Sequence, residues 1–364
     1  MKRVNIISIP VNSVCMFPNP LLKAFLLTMA LVSFTIIGWE LYLRQQGIDL
    51  SYDDEESLWA DKRDRAISMQ EEATVFVGSS RNKYDVDINT WKSLTGENLI
   101  QLSCVGSSPL LILQDLANDK QFSGKVVIDV TEPLFFSMSP RNQERPSKNI
   151  KWRKDRTPAQ AFSFHVNHLL ESQFVFLDKD YFSLNALIDK IKLPNRPGVF
   201  VFPEFPFGFE RVSFDRQNYM SANFVQDTHK HQQVRDVWTF VKKISKDPPV
   251  QGPKLDSILN QVKENVSQIL SRGGQVIFIR TPSSGIMLES EYKNYPRQEY
   301  WEKLLSTTKC QGIHFADYPP IAHFICPEWS HLTPEDALVY TKNLVHILKN
   351  EKGWRFKNDS AIIN

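Results

Sequence analysis

Apolar residues along this chain fall into two kinds of run. Short unbroken ones end in small or polar residues: Thr74-Val75-Phe76-Val77 before Gly78-Ser79-Ser80, residues 98–104 before Val105-Gly106-Ser107, and residues 125–130 before Thr131-Glu132-Pro133. Residues 275–280 before Thr281-Pro282-Ser283 make a fourth, and 313–318 a weaker fifth. Between them the spacing turns helical, over 87–94, 109–118, 254–270 and 334–348. In the third of these, Leu255, Ile258, Leu259, Val262, Val266, Ile269 and Leu270 share one face, and Arg272-Gly273-Gly274 marks its end. Unbroken apolar strands alternating with helices predict an α/β fold, a parallel sheet covered by helices on both faces. Such folds place their sites at the carboxyl ends of the strands.

Two stretches depart from this alternation. Residues 21–39 are almost wholly apolar and long enough to cross a bilayer core of about 30 Å. Lys2 and Arg3 precede the run and Lys23 lies at its start; Glu40, Asp49 and Asp53-Asp54-Glu55-Glu56 follow it. That bias predicts a cytoplasmic amino terminus and export of residues 45–364 to the periplasmic or extracellular side. A cleavable signal peptide is the rival reading, but no small-x-small site follows the run. The second departure is 134–250, which is rich in aromatic clusters such as Phe205-Pro206-Phe207 and carries a basic segment, residues 148–156. It reads as a large insertion capping the sheet, with residues 200–209 as a groove, a partner surface or a locally folded flap. The expected organisation is therefore 1–20 cytoplasmic, 21–42 transmembrane, 43–72 a polar stalk, 73–133 and 251–350 the two halves of the sheet domain, 134–250 the insertion and 351–364 a tail.

Composition narrows the function classes. The chain has 364 residues, 42% hydrophobic and 23% charged, with a net charge of +2. These values exclude a disordered chain, and the charge gives no reason to expect nucleic-acid binding. Four cysteines exclude a disulfide-dense scaffold. If the body is exported, Cys310 and Cys326 are close enough in sequence to pair or to remain free thiols; Cys104 reads as a buried thiol and Cys15 as reduced. His165 with His168, and His229 with His231, lack a third ligand at metal-binding spacing, so no metal and no cofactor is expected. His314, His323 and His346 read as packing or surface residues.

The chemistry concentrates at two places. Gly78-Ser79-Ser80 sits where the first strand turns into a helix, which exposes a serine hydroxyl beside helix-start amides. It lacks the second glycine of a G-x-S-x-G elbow and the lysine of a phosphate loop. Near the other end, Glu328 and His331 precede the last helix, with Thr333 as its N-cap and Pro334 at its first position. An acid three residues before a histidine can turn back onto one ring nitrogen and leave the other as a base for serine.

These motifs resemble the SGNH, or GDSL-type, hydrolase superfamily, whose fold is a flavodoxin-like parallel sheet. Gly78-Ser79-Ser80 matches its first block, with Ser80 as nucleophile and Ser79 in place of the usual aspartate. Gly106 matches the second block; its amide and that of Ser80 are the implied oxyanion hole. Glu328 and His331 match the Asp-x-x-His block with a longer acid. The Gly-x-Asn-Asp block is absent, and Val130-Thr131-Glu132-Pro133 stands there. A lost oxyanion donor of this kind costs about 3–4 kcal/mol unless replaced. Arg280 is either that replacement or a structural arginine, and Asp317 is the alternative acid. The Gly-Ser-Ser variant with a single span also resembles the D-alanyl-lipoteichoic-acid transfer protein and envelope O-acetylation members. The resemblance implies serine O-acyl (acetyl) transfer to or from an envelope polysaccharide, or another acylated glycan, beside a multi-span membrane O-acyltransferase. The reading from another class is a catalytically inactive module that binds carbohydrate or that membrane partner.

Overall fold

The structure, a computed structural model, describes residues 19–360 apart from 71, 190, 192–197, 199–200 and 246. Its strands are β1 (Ala73–Val77), β2 (Asn98–Gln101), β3 (Lys125–Asp129), β4 (Arg211–Val212), β5 (Asn218–Tyr219), β6 (Gln275–Arg280) and β7 (Gln311–His314). Five of them form one parallel sheet in the order β2-β1-β3-β6-β7. Counted among themselves these run 2-1-3-4-5, the doubly wound flavodoxin-like order, which reverses direction between β1 and β3. β4 and β5 make a separate antiparallel ribbon.

Alternation along each strand divides the core in two. Val75, Val77, Val126, Ile128 and Phe278 meet the helices Leu110–Asn118, Gly252–Ser271 and Trp301–Thr308. Phe76, Val127, Ile277, Ile279 and Ile313 meet Ile88–Thr95 and Pro334–Asn350 on the other face. Strands buried on both sides need apolar residues at every position, hence the unbroken runs. Side chains cap both helices of the second face: the Asp87 carboxylate accepts from Thr90 N at 2.6 Å, and Thr333 Oγ1 from Asp336 N at 3.1 Å. β2 stops at Gln101, although Leu102 N and Cys104 N still donate to the carbonyls of Phe76 and Gly78 at 2.9 and 3.1 Å. The fifth strand is residues Gln311–His314 rather than 313–318. His314 Nδ1 accepts from Ala316 N at 3.2 Å and starts the 3-10 turn Phe315–Asp317.

The apolar run forms the helix Pro20–Gln45, long and apolar enough to cross a membrane, with its 18-residue apolar window unburied. Residues 43–72 are no stalk. Tyr52 N donates to Val212 O at 3.0 Å, and the helix Glu56–Ser68 buries Trp59, Ala60 and Ala66 against the sheet domain. The acidic run is drawn in because Asp54 meets three cations: Lys83 Nζ at 2.5 Å, Arg216 Nε at 2.5 Å and Arg145 Nη2 at 3.0 Å. Burial pushes the Asp54 carboxyl up, but these cations outweigh it and hold the group below the usual carboxylate range.

Cys310 and Cys326 do not pair; both are free thiols, as is Cys104. Cys310 packs on one face of the sheet and Cys326 in the core of the other, so closeness in sequence brings them no closer in space. Cys15 and most of the amino-terminal segment lie outside the described residues.

Candidate active site

Ser80 is the first residue of the short helix that follows β1, at the point where the strand order reverses. Gly78 makes that turn possible, since a Cβ there would sit 2.6 Å from Asp129 Cβ. Ser79 faces inward: its hydroxyl lies 2.6 Å from Thr131 Oγ1 and donates to Asp129 Oδ2 at 3.3 Å. Ser80 thereby keeps its own hydroxyl for the other side of the turn.

The chain's end returns to this point because the helix Pro334–Asn350 packs under β1 and carries the preceding loop with it. His331 Nε2 and Ser80 Oγ are 2.9 Å apart. On the far side of the ring, Nδ1 is 2.9 Å from Glu328 Oε1. With the proton on Nδ1, His331 donates to Glu328 and offers Nε2 as acceptor to the serine hydroxyl. Glu328 and His331 are wholly buried, whereas Ser80 is partly exposed. The serine is therefore the member of the relay that a substrate can reach.

Glu328 is held by four donors. Ser330 N, His331 N and His331 Nδ1 converge on Oε1, and Trp238 Nε1 donates to Oε2 at 2.6 Å. Burial pushes its carboxyl up, but the imidazole and these hydrogen bonds together hold it below the ordinary value. The loop is gripped a second time by Arg235, whose Nε and Nη2 donate to Pro327 O at 3.0 and 2.5 Å. Trp329 takes a left-handed φ of 82° in the turn, a strain that these fixed neighbours sustain. Leu332 N donates to the buried Asp85 Oδ1 at 2.9 Å, tying the loop to the helix that begins at Ser80. Tyr84 lies on the imidazole, ring centroids 4.3 Å apart, and Phe209 closes in at 5.8 Å. Three of these supports, Trp238, Arg235 and Phe209, come from the 134–250 stretch. No spacing in the sequence marks them; a tryptophan two turns into an amphipathic helix looks like core.

The remaining candidates are placed as follows. Gly106 sits exposed in the turn after β2 with φ of 62°, on the same carboxyl edge as Ser80. Arg280 is corrected to a structural role. It is wholly buried, and its guanidinium donates to Glu132 Oε1 at 3.1 Å, Glu291 Oε2 at 2.5 Å, Ser283 Oγ at 3.0 Å and Thr281 O at 2.7 Å. An arginine engaged on four sides is no oxyanion donor. Asp317 is also set aside as the acid: Arg297 grips it by two bonds of 2.6 and 2.7 Å, and Glu328 already occupies Nδ1.

Of the other histidines, His168 stacks on Phe214 with centroids 3.6 Å apart, and His231 Nε2 donates to Phe224 O at 3.0 Å. Among the described residues no group of three or more His, Cys, Asp or Glu gathers as for a metal ion. No protein-family model and no curated protein matches the chain, so its chemistry is read from the side chains themselves.

Proposed function

We propose that this chain is a membrane-anchored SGNH-type serine enzyme that transfers O-acyl groups, with residues 45–364 on the outer side of the cytoplasmic membrane. The observation that carries the reading is the unbroken relay from Ser80 Oγ through His331 to Glu328, two contacts of 2.9 Å. It supports an enzyme over an inactive binding module, which has no need of a buried acid so aligned. Ser80 Oγ attacks the ester carbonyl while its proton passes to His331 Nε2. Glu328 holds the ring in the needed tautomer and stabilises the imidazolium. The amides of Ser80 and Gly106 receive the oxyanion. Its collapse breaks the ester C–O bond, and His331 returns the proton to the departing alcohol, leaving acyl-Ser80. A glycan hydroxyl, or water, then gives a proton to His331 and attacks the acyl carbon; the acyl–serine C–O bond breaks and His331 passes that proton to Ser80 Oγ. The acceptor class is an envelope polysaccharide hydroxyl, with a multi-span acyltransferase as the partner that supplies the acyl group.

The test is hydrolysis of an aryl acetate by the full chain, together with fluorophosphonate labelling of its serine. Ser80→Ala and His331→Ala should each remove both signals while leaving the fold intact, since a nucleophile and its base act as one unit. An active Ser80→Ala enzyme overturns the assignment.

A further inference from the structure

The spanning helix does not simply leave the body; it is bolted to it. Glu40, near its outer end, accepts from Val175 N at 3.0 Å and Phe176 N at 3.2 Å. Arg44 donates to Gln173 O at 2.9 Å and pairs with Glu40 at 2.7 Å. One residue before Glu40, Trp39 stacks on Tyr42 and meets the edge of Phe182 at 6.4 Å. A Trp–Tyr pair at the end of an apolar span marks the level of the lipid headgroups. The segment 173–182 therefore sits at that level.

Two helices flank this segment, and both turn apolar side chains outward. In Pro158–Glu171, His168 faces the body, where it meets Tyr52 and Phe214, and Phe164 stacks on His168. The opposite side carries Phe162, Val166 and Leu169, of which Phe162 is 69% exposed and Leu169 64%. The short helix Leu184–Asp189 follows Phe182 directly, with Leu184 73% exposed and Leu187 and Ile188 about half exposed, at 46% and 50%. Lys151 and Lys154 stand exposed on the helix just before the first of these. An apolar stripe with basic neighbours, continuous with a spanning helix, is the pattern of an element lying in the membrane interface.

We propose that Pro158–Glu171 and Leu184–Asp189 lie in the headgroup–acyl boundary of the bilayer, a second lipid contact beside the spanning helix. The proposal rests on the anchor reading above. It also sets the attitude of the molecule. Asp54 of the docked segment binds Arg216, whose Nη1 and Nη2 donate to the carbonyls of Gln101, the last residue of β2, and Ser103 just beyond it, at 2.7 and 3.0 Å. The edge of the sheet that bears Ser80 thus faces the lipid, and the opposite edge, entered through Gly273 and Gly274, faces away.

The test places the photocrosslinker p-benzoylphenylalanine, one site at a time, in the full chain in membranes whose phospholipid is radiolabelled. Phe162, Leu169 and Leu184 are the test positions. Ile37, inside the span, is the positive control, and Ser271, at the opposite edge of the sheet, is the negative one. Lipid adducts several-fold above the Ser271 background at the three test positions, matching Ile37 in kind, are expected. Background-level lipid at all three, with a strong Ile37 signal, overturns the proposal and leaves the anchor standing. Protein adducts in place of lipid at those positions also overturn it and make the stripe a protein interface. If Ile37 itself gives no lipid adduct, the anchor reading falls and takes this one with it.

Discussion

Replacing Glu328 with glutamine separates two things the carboxylate does. Three donors converge on Oε1 and one, Trp238 Nε1–H, on Oε2. The amide will turn its oxygen to the three donors and its NH2 to the indole, which sets one donor against another in a buried site. A buried donor left unsatisfied costs about 1–3 kcal/mol, so Glu328→Gln should lose that much stability. The loss in rate has a separate origin, because a neutral amide cannot stabilise the imidazolium. Unit charges about 4 Å apart at an effective dielectric of about 20 attract by about 4 kcal/mol, so the acylation rate should fall by up to roughly a thousandfold. Adding Trp238→Phe removes the opposing N–H while keeping an aromatic ring beside Phe205 and Phe209. The double variant should therefore regain stability relative to Glu328→Gln but none of the rate. Urea unfolding of the detergent-solubilised chain reads the first quantity, and the rate of fluorophosphonate labelling the second. A double variant no more stable than Glu328→Gln would refute the four-donor arrangement.

Three further outcomes are expected. Gly78→Ala drives a Cβ to within 2.6 Å of Asp129 Cβ and 3.2 Å of Asn82 Cβ. It should cost about 1–3 kcal/mol of overpacking and slow serine labelling with little change in circular dichroism, and wild-type labelling would contradict the tight turn. Asp54→Asn leaves Lys83, Arg145 and Arg216 facing a neutral group; losing one side of such a buried set costs about 3–5 kcal/mol, and proteolysis within residues 46–56 should accelerate. His314 is pulled down to about 3, first by burial and then by Arg280 and Arg297, so it stays neutral in the fold while the unfolded chain protonates near the ordinary value of about 6.5. Its contribution is complete above that value and lost as pH falls toward 3; His314→Asn, which takes up no proton, should show a shallower loss of stability over that window, and an unchanged slope would exclude the role.

What the sequence disclosed, and what it hid, divides along physical lines. The sheet was legible because strands buried on both faces must be apolar throughout, and β6 runs over the very residues, Gln275–Arg280, that read as a strand. Ser80, Glu328 and His331 were legible because each sits where a cap or a turn fixes the backbone. The docking of 43–72 was hidden: an acidic run looks solvated until the cations that neutralise it are seen, and Lys83, Arg145 and Arg216 are scattered over 134 positions. Trp238 and Arg235 were hidden for the same reason, since a grip on a loop some 90 residues away leaves no periodic trace. Cys310 and Cys326 show the converse: their nearness in sequence left a bridge and free thiols equally open, and only their placement on opposite faces of the sheet decides for free thiols.

The docked segment that follows the apolar helix also sets a working radius. Had residues 46–72 been a flexible tether, the domain could have wandered on the order of 30 Å and sampled substrate at many heights. Folded onto Val212, Arg216 and the sheet domain, the same residues allow no such excursion. On the proposed reading, Ser80 stays at one altitude above the bilayer, and both the acyl donor and the glycan acceptor have to be brought there, so delivery from the membrane, rather than reach from the catalyst, selects what is acylated.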